Sequence, residues 1–387
     1  MDFAYDDEQQ ALRDAVRGLV GKTYADHEHR RQATKEAPGF DEKLWARMVE
    51  MGLLGLPFAE DDGGVGAGPV EIGIVCQELG RVAAPEPYLA AVVMAGGLVA
   101  ACGTSAQRSE IITPLAEGEL LPALAHAEPG RRWSPDASEV TALQDGDTWT
   151  LTGTKEPVPH GARADVLVVS AALPDPSTGS GGSGGTGLFV VDPSDVAVTD
   201  YAVYDGSRAA RVVLDGTAAT PLGEAGRDLT PSIAVVLDLA RVMSANQSLG
   251  AMRTALSATT DYLKSRKQFG VTLNTFQDLT FRAADMYVSV ELTQSLVDWA
   301  TMVVATGDAD ALADAATRAS LQVSRAGRHV GQEAIQLHGG IAMTAEYSVG
   351  SLVAQLTVLD HLLGDGGHHL NRLAGGIDDY AMIDPLD

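Results

Sequence analysis

Two short segments carry residue types from which a ligand site can be built. Lys264-Ser265-Arg266-Lys267-Gln268-Phe269-Gly270 breaks a helical pattern with three cations in four residues, and Gln277 follows. About 70 residues after Arg266, Gln336-Leu337-His338-Gly339-Gly340-Ile341 sets a glycine pair at the end of a long apolar helix. Cations at an exposed helix terminus complement its dipole, and a glycine pair there serves as a C-cap. Each segment alone therefore has a plain structural account. His368-His369, beside Gly366-Gly367, offers imidazoles to a metal, but no acidic or second histidine cluster stands at ligand spacing. A solvated helix end is expected there, and no metal site. The glycines of 177–187 have the composition of a phosphate cradle, yet strand texture and no helix follows them. A mobile hairpin loop is expected.

The elements that must position these segments fall into three zones. The first, 1–122, reads as helices. Leu12, Val16, Leu19 and Val20 recur at helical spacing within 8–20, and 44–54 is a second apolar stretch. The Gly-rich run 61–69 interrupts it, a helix restarts near Val70, and Pro85 and Pro87 separate that helix from one beginning near Tyr88. The second zone, 123–225, changes period: 148–152 alternates, and 166–169, 188–191 and 211–214 are short buried runs between turn signals. The third, 226–387, is helical again, with long apolar periodicities over 233–265, 275–304, 309–338 and 349–363. This order predicts an α+β fold: an N-terminal helical domain, a β domain and a C-terminal bundle of about four long helices.

Composition narrows the function. The 387 residues hold 27 Lys+Arg against 52 Asp+Glu, a formal charge of −25. No dense basic patch exists to neutralise phosphates, so nucleic acid is not expected as a partner, nor an anionic membrane. The start, Met1-Asp2-Phe3-Ala4-Tyr5-Asp6-Asp7, lacks a signal-peptide pattern, and the apolar run 88–101 is too short to span a bilayer. A soluble, cytoplasmic protein is expected. Two cysteines, Cys76 and Cys102, without CxxC or Cys/His spacing, argue against a disulfide scaffold and a structural zinc site.

Together and in this order, the segments at 266–277 and 336–340 resemble the acyl-CoA dehydrogenase family. In that family an Arg-x-Gln-Phe-Gly segment and a Gln-x-x-Gly-Gly segment hold the ADP half of the neighbouring subunit's FAD. Gly-rich 61–68, Ala127-Glu128-Pro129-Gly130 and Gly153-Thr154-Lys155 resemble further family segments. The resemblance implies a helical domain at 1–122, a β-barrel at 123–225 and a four-helix bundle at 226–387. It implies FAD as cofactor, held by Arg266, Gln268, Phe269, Gln277, Gln336, Gly339, Gly340 and Glu128. Arg266 offers a planar fork to pyrophosphate oxygens, glycines admit a close backbone, and Gln277 and Gln336 can donate amide N–H groups. Implied partners are an acyl-CoA from fatty-acid or steroid side-chain breakdown, further subunits in a tetramer, and an electron-transfer flavoprotein or similar acceptor.

The sequence departs from the family where chemistry happens. Removing the α-proton of an acyl-CoA thioester needs a positioned base. The three family positions for that glutamate hold Gln247, Ala240 and Leu363 here, so no catalytic residue is intact. Ala240 and Gln247, seven residues apart, are expected on one helix face, with Asp238 turned roughly 200° from it. Asp365 is the other carboxylate nearby. Asp238 and Arg241 either line the thioester pocket, as the family's Asp/Arg pair does, or form a local ion pair. Around the flavin, the family's Trp-Ile-Thr stretch reads Glu156-Pro157-Val158-Pro159-His160, and Pro159 has neither hydroxyl nor N–H to give. Arg131-Arg132-Trp133 replaces the usual Ala-Gly-Ser-Asp. The ending resembles small-subunit types such as that of pimeloyl-CoA dehydrogenase. The leading expectation is a base-lacking subunit that completes a partner's FAD site. The rivals are an active homotetramer using Asp365 or the substrate itself, and a non-catalytic acyl-CoA-binding or scaffold protein.

Overall fold

Local capping starts the N-terminal helices. At α1 (Asp7–Thr23), Asp6 accepts from the Gln9 backbone N–H while the Gln9 side chain accepts from that of Asp6. Asp26 and Asp41 cap α2 (His27–Lys35) and α3 (Glu42–Glu50). The helix expected over 44–54 stops at Glu50, because Gly52 turns the chain at φ +71°. α4 (Pro69–Arg81) opens on a proline, whose missing N–H would be unpaired there anyway. A π-helical run, Tyr88–Gly96, leads into α5 (Gly97–Cys102), and α6 (Ser105–Ala116) follows. The computed structural model describes residues 4–131, 133–175 and 182–377.

The middle zone is a closed barrel. Its strands are β1 (Pro122–Ala125), β2 (Thr141–Asp145), β3 (Thr148–Pro159), β4 (Val166–Pro174), β5 (Gly182–Val191), β6 (Ala197–Ala202) and β7 (Arg208–Pro221). The path β4-β2-β3-β7-β5 returns to β4, since β5 pairs with both β7 and β4. The loop expected over 177–187 is in part strand. A Cβ on Gly184 would lie 2.4 Å from the Pro174 carbonyl oxygen, and one on Gly187 2.7 Å from the Leu173 side chain. Those glycines serve close strand approach, which composition alone cannot tell from flexibility. The rest of that run, 177–181, lies outside the described residues.

Inside the barrel Glu128 and Lys155 form a buried ion pair, Nζ to Oε1 at 2.8 Å. Glu128 also accepts the backbone N–H groups of Ser138, Glu139 and Val140, each at 3.0 Å. Lys155 donates further to the His126 carbonyl and to Ser170 Oγ. Burial alone would raise the Glu128 carboxyl, but the ammonium and these donors hold it down at about 2.

The third zone holds α7 (Thr230–Ser265), α8 (Gln277–Val304), α9 (Ala309–His338), α10 (Ser348–Leu362) and the short α11 (Gly366–Gly375). Between α7 and α8 a small hairpin pairs β8 (Lys267–Gln268) with β9 (Val271–Thr272). The N-terminal helices and the bundle share one apolar core, and the barrel interior is a second. α4 meets α7 backbone to backbone. A Cβ on Gly80 would stand 1.8 Å from the Gln247 carbonyl oxygen, and one on Gly250 2.0 Å from that of Gln77.

Two outcomes follow for stability. The folded-state value of Glu128 lies below its unfolded one, so its stabilisation is full above about pH 4.5 and is lost as pH falls towards 2. Denaturant titrations from pH 6 to pH 3 should show this loss, of about 3 kcal/mol when complete, and Glu128→Gln should flatten that part of the curve. Gly80→Ala should destabilise by about 3 kcal/mol, because backbone must move to admit one methyl, and a thermal melt reads it.

Candidate functional site

A cavity of about 370 Å³ lies where the three zones meet. Its walls come from the chain between α4 and the π-helical run, the end of β3, the turn between β6 and β7, Gln247 of α7, and α10. Just over half of the lining is apolar; Glu86, His160, Gln247, Gln355, Thr357 and His361 supply polar groups, as do Tyr204, Asp205, Ser207 and Arg208 of the β6–β7 turn. Glu86 is 6% exposed, and its Oε1 accepts from the Tyr24 hydroxyl at 2.5 Å and from the Asp41 N–H at 3.3 Å. Burial pushes its carboxyl up to about 7. Burial lowers His160 to about 4, so its ring is neutral. Sequence reasoning passed over Glu86. The available signal was one acid between Pro85 and Pro87 in an otherwise apolar stretch.

The three base positions separate in space. Gln247 lines the main cavity, Leu363 lines a narrower one behind it, and Ala240 is packed in the apolar core. The amide at 247 has no useful basicity. Asp238 is buried, accepting from Arg241 Nη1 at 2.6 Å and Arg372 Nη1 at 3.3 Å. Arg241 Nε donates to the Leu363 carbonyl at 2.8 Å. Of the two roles expected for Asp238 and Arg241 the ion pair is made, with Arg241 also walling the narrow cavity. Asp365 caps α11 by accepting the His368 N–H, and it lines neither cavity.

The narrow cavity, between the barrel and α10, measures about 30 Å³. That is room for roughly two waters, and Pro157, Pro159, His361 and Leu362 wall both this slot and the main cavity. Trp133, one of its walls, donates its indole N–H to the His361 carbonyl at 3.1 Å and stacks on His368 with ring centres 5.4 Å apart. His126 spends both ring nitrogens, on Ser170 Oγ and the Ser134 carbonyl. Pro157 and Pro159 complete the wall without an N–H to offer. The residues here do not fit a flavin ring. The carboxylate of Glu128, a residue expected to touch cofactor, is bonded to Lys155 and to the backbone at 138–140. The solvated end expected at His368-His369 is not found. His369 is 1% exposed, bonded through Nε2 to the Gly364 carbonyl, because the Asp365 cap starts α11 one turn before it.

The opposite end of the bundle is open. Arg266 closes α7 and is exposed, as are Gln268, Gln277, Gln336, Gly339 and Gly340. Phe269 is 90% exposed at the tip of the β8–β9 hairpin, at φ +54°, with Phe276 edge-on to it at 6.1 Å. The two sequence segments are joined here: Tyr262 packs on His338 at 4.6 Å, and Arg282 pairs with Glu333 at 2.7 Å. Cations, amides and open glycine backbone thus share one surface. That donor set suits a pyrophosphate-bearing ligand.

Residues 6–119 match the family model of the acyl-CoA dehydrogenase N-terminal domain, and residues 231–377 that of its C-terminal domain. The probable acyl-CoA dehydrogenase YngJ of Bacillus subtilis is 27% identical over 383 residues, 96% of this chain and 98% of that protein. A solved variant of the Tcur3481-Tcur3483 steroid ACAD is 30% identical at a TM-score of 0.86, covering 96% of this chain and 98% of that one. The ChsE4-ChsE5 complex from Mycobacterium tuberculosis is 25% identical at a TM-score of 0.87, covering 99% and 100%. No helix among the described residues is long and apolar enough to cross a membrane. Closed barrel and four-helix bundle agree with these matches: the chain belongs to the acyl-CoA dehydrogenase family, FAD-dependent oxidoreductases.

Proposed function

We propose that this chain is the base-lacking subunit of a heteromeric acyl-CoA dehydrogenase and completes the FAD site of a neighbouring subunit. The observation that carries this reading is the contrast between its two ends. Gln247 stands where a base would, beside a slot of about 30 Å³ walled by Trp133, Pro157 and Pro159, while the groups expected to face ADP are exposed. FAD, held by the partner, supplies the hydride acceptor of the family reaction. This chain would hold its ADP half through Arg266, Gln268, Phe269, Gln277, Gln336 and the backbone at 339–340. α8 supports an assembled state, since Phe281, Val288 and Leu292 form an exposed apolar stripe at helical spacing. The likeness to the Tcur3481-Tcur3483 and ChsE4-ChsE5 proteins supports a two-component assembly and extends the implied substrates to steroid-type thioesters.

One observation favours the rival homomer. Glu86 places a carboxyl near neutrality in the main cavity, as a general base would be placed. Flavin content separates the readings. The chain purified alone should carry little or no FAD, read from visible absorbance against protein. One FAD per protomer, bleached by acyl-CoA, would establish the homomer instead. In the two-component complex, Arg266→Ala on this chain should weaken FAD retention about ten- to a hundredfold. Gln247→Glu should leave turnover of the complex unchanged, since a base restored beside a closed slot faces no ring; a gain in dye-reduction rate would place a working site here.

A further inference from the structure

A second sizeable cavity, of about 280 Å³, lies where the end of α1, α2, the end of α4 and the first turn of α10 converge. It shares no lining residue with the main cavity or with the narrow slot. The chain has 52 acidic residues, yet none of them lines this cavity, whereas Arg30, Arg81 and His27 do. Every polar side chain on its wall can donate a hydrogen bond.

Arg30 is 3% exposed. Its Nε donates to the Ala83 carbonyl at 2.5 Å and its Nη2 to the Asp205 carbonyl at 3.0 Å. Among the described residues no carboxylate pairs with it. The acids whose fields reach it are engaged elsewhere, Asp205 on Ser207 and Glu86 on Tyr24. A guanidinium keeps its proton, so this buried charge stands without an internal counter-ion, where buried charges are ordinarily paired. Nη1 has no partner among the described residues and is not sealed off, and the little surface Arg30 keeps belongs to the cavity wall.

Arg81 adds a second cation. Its Nε bonds Glu78 at 3.0 Å, but Arg17 bonds the same carboxylate at 2.7 Å and Arg13 stands 3.8 Å from it. One negative charge shared among three guanidiniums leaves positive charge in excess. Arg81 Nη2 lies against Gly21 on the cavity wall, where a Cβ would stand 2.9 Å from it. The first turn of α10 completes the set. Tyr347 gives that turn no side-chain cap, and Ser348 and Ser351 bring hydroxyls to it. His27 Nε2 lies 3.4 Å from Ser351 Oγ and ties α2 to the same turn.

A planar carboxylate would occupy one guanidinium fork. A phosphate presents oxygens to both arginines and to the open helix turn at once. We propose that this cavity binds a phosphate group, free or at the end of a small phosphomonoester, with Arg30 and Arg81 as its cationic ligands and Ser348, Ser351 and the first turn of α10 as its neutral donors. The inference does not depend on the base-lacking reading given above.

The test is calorimetric titration of the full chain in a buffer free of phosphate and sulfate. The probes are inorganic phosphate and glycerol 3-phosphate. One saturable site per chain is expected. Equal affinities assign the site to the phosphate group alone, and tighter binding of the ester assigns it to a phosphomonoester. Arg30 braces two carbonyls, so the variants are placed around it. Arg81→Gln should weaken binding about tenfold. Ser351→Glu sets a carboxylate against Arg30 and should abolish binding, with the melting curve showing that each variant is folded. Absence of saturable binding of either probe at about 10 mM overturns the inference. So does unchanged affinity in both folded variants. Weakening by Arg266→Ala without weakening by Arg81→Gln would put the phosphate at the other end of α7 and overturn it as well.

Discussion

Gln247 is where it is because α4 and α7 touch backbone to backbone. At Gly80 and Gly250 no side chain keeps the helices apart, and each helix's carbonyl occupies the space a Cβ would take on the other. That contact pins the middle of a 36-residue helix. From there everything on α7 is set by helical rise. Asp238 and Arg241 fall beside the narrow slot, Gln247 falls in the main cavity, and Arg266 emerges about 28 Å beyond Gln247. A single rod thus carries Gln247 at one level and the exposed cation-bearing end at another. Loss of the base does not disturb the far end, since nothing but helix joins them.

The two ends differ in how their polar groups are spent. Around the narrow slot several donors have internal partners: Arg241 Nε and Nη1 on Leu363 and Asp238, Trp133 on His361, His126 on Ser170 and Ser134. A ligand entering there would have to break bonds already made and displace a packed indole. At the other end, Arg266 and Gln268 stand in solvent, and Phe269 exposes an aromatic face that costs free energy until something covers it. The slot is thus largely spent on internal contacts, while the open end leaves its cations, amides and Phe269 to solvent.

Zone order was legible because apolar periodicity changes from helical to alternating and back. The long helices expected over 233–265 and 309–338 lie within three residues of α7 and α9. Barrel closure was not legible from pattern, since it depends on β5 pairing at both edges, and the family resemblance supplied it. Gly184 and Gly187 misled because glycine signals both freedom and close approach. At the site, substitutions at named positions were visible: Gln247 for an acid, Pro159 for a hydroxyl. What those substitutions are packed against was not. Burial of His369 and burial of the Glu86 carboxyl both depend on residues more than a hundred positions apart meeting around one cavity or helix end.

Electrostatics ties the open end to its ligand despite the chain's overall charge. A formal charge of −25 repels pyrophosphate at long range. At physiological salt, however, that field is screened within about 8 Å, so local groups decide. Lys264, Arg266 and Lys267 are all exposed on one turn of chain at the end of α7, with the hairpin holding Gln268 beside them. Arg282, on the first turns of α8, is committed to Glu333 and so adds structure more than free charge. The three-cation island is therefore the feature at this end most favourable to an anion. On the reading proposed above, cofactor capture and subunit pairing would depend on the same few residues, which gives a subunit without its own base a reason to keep them.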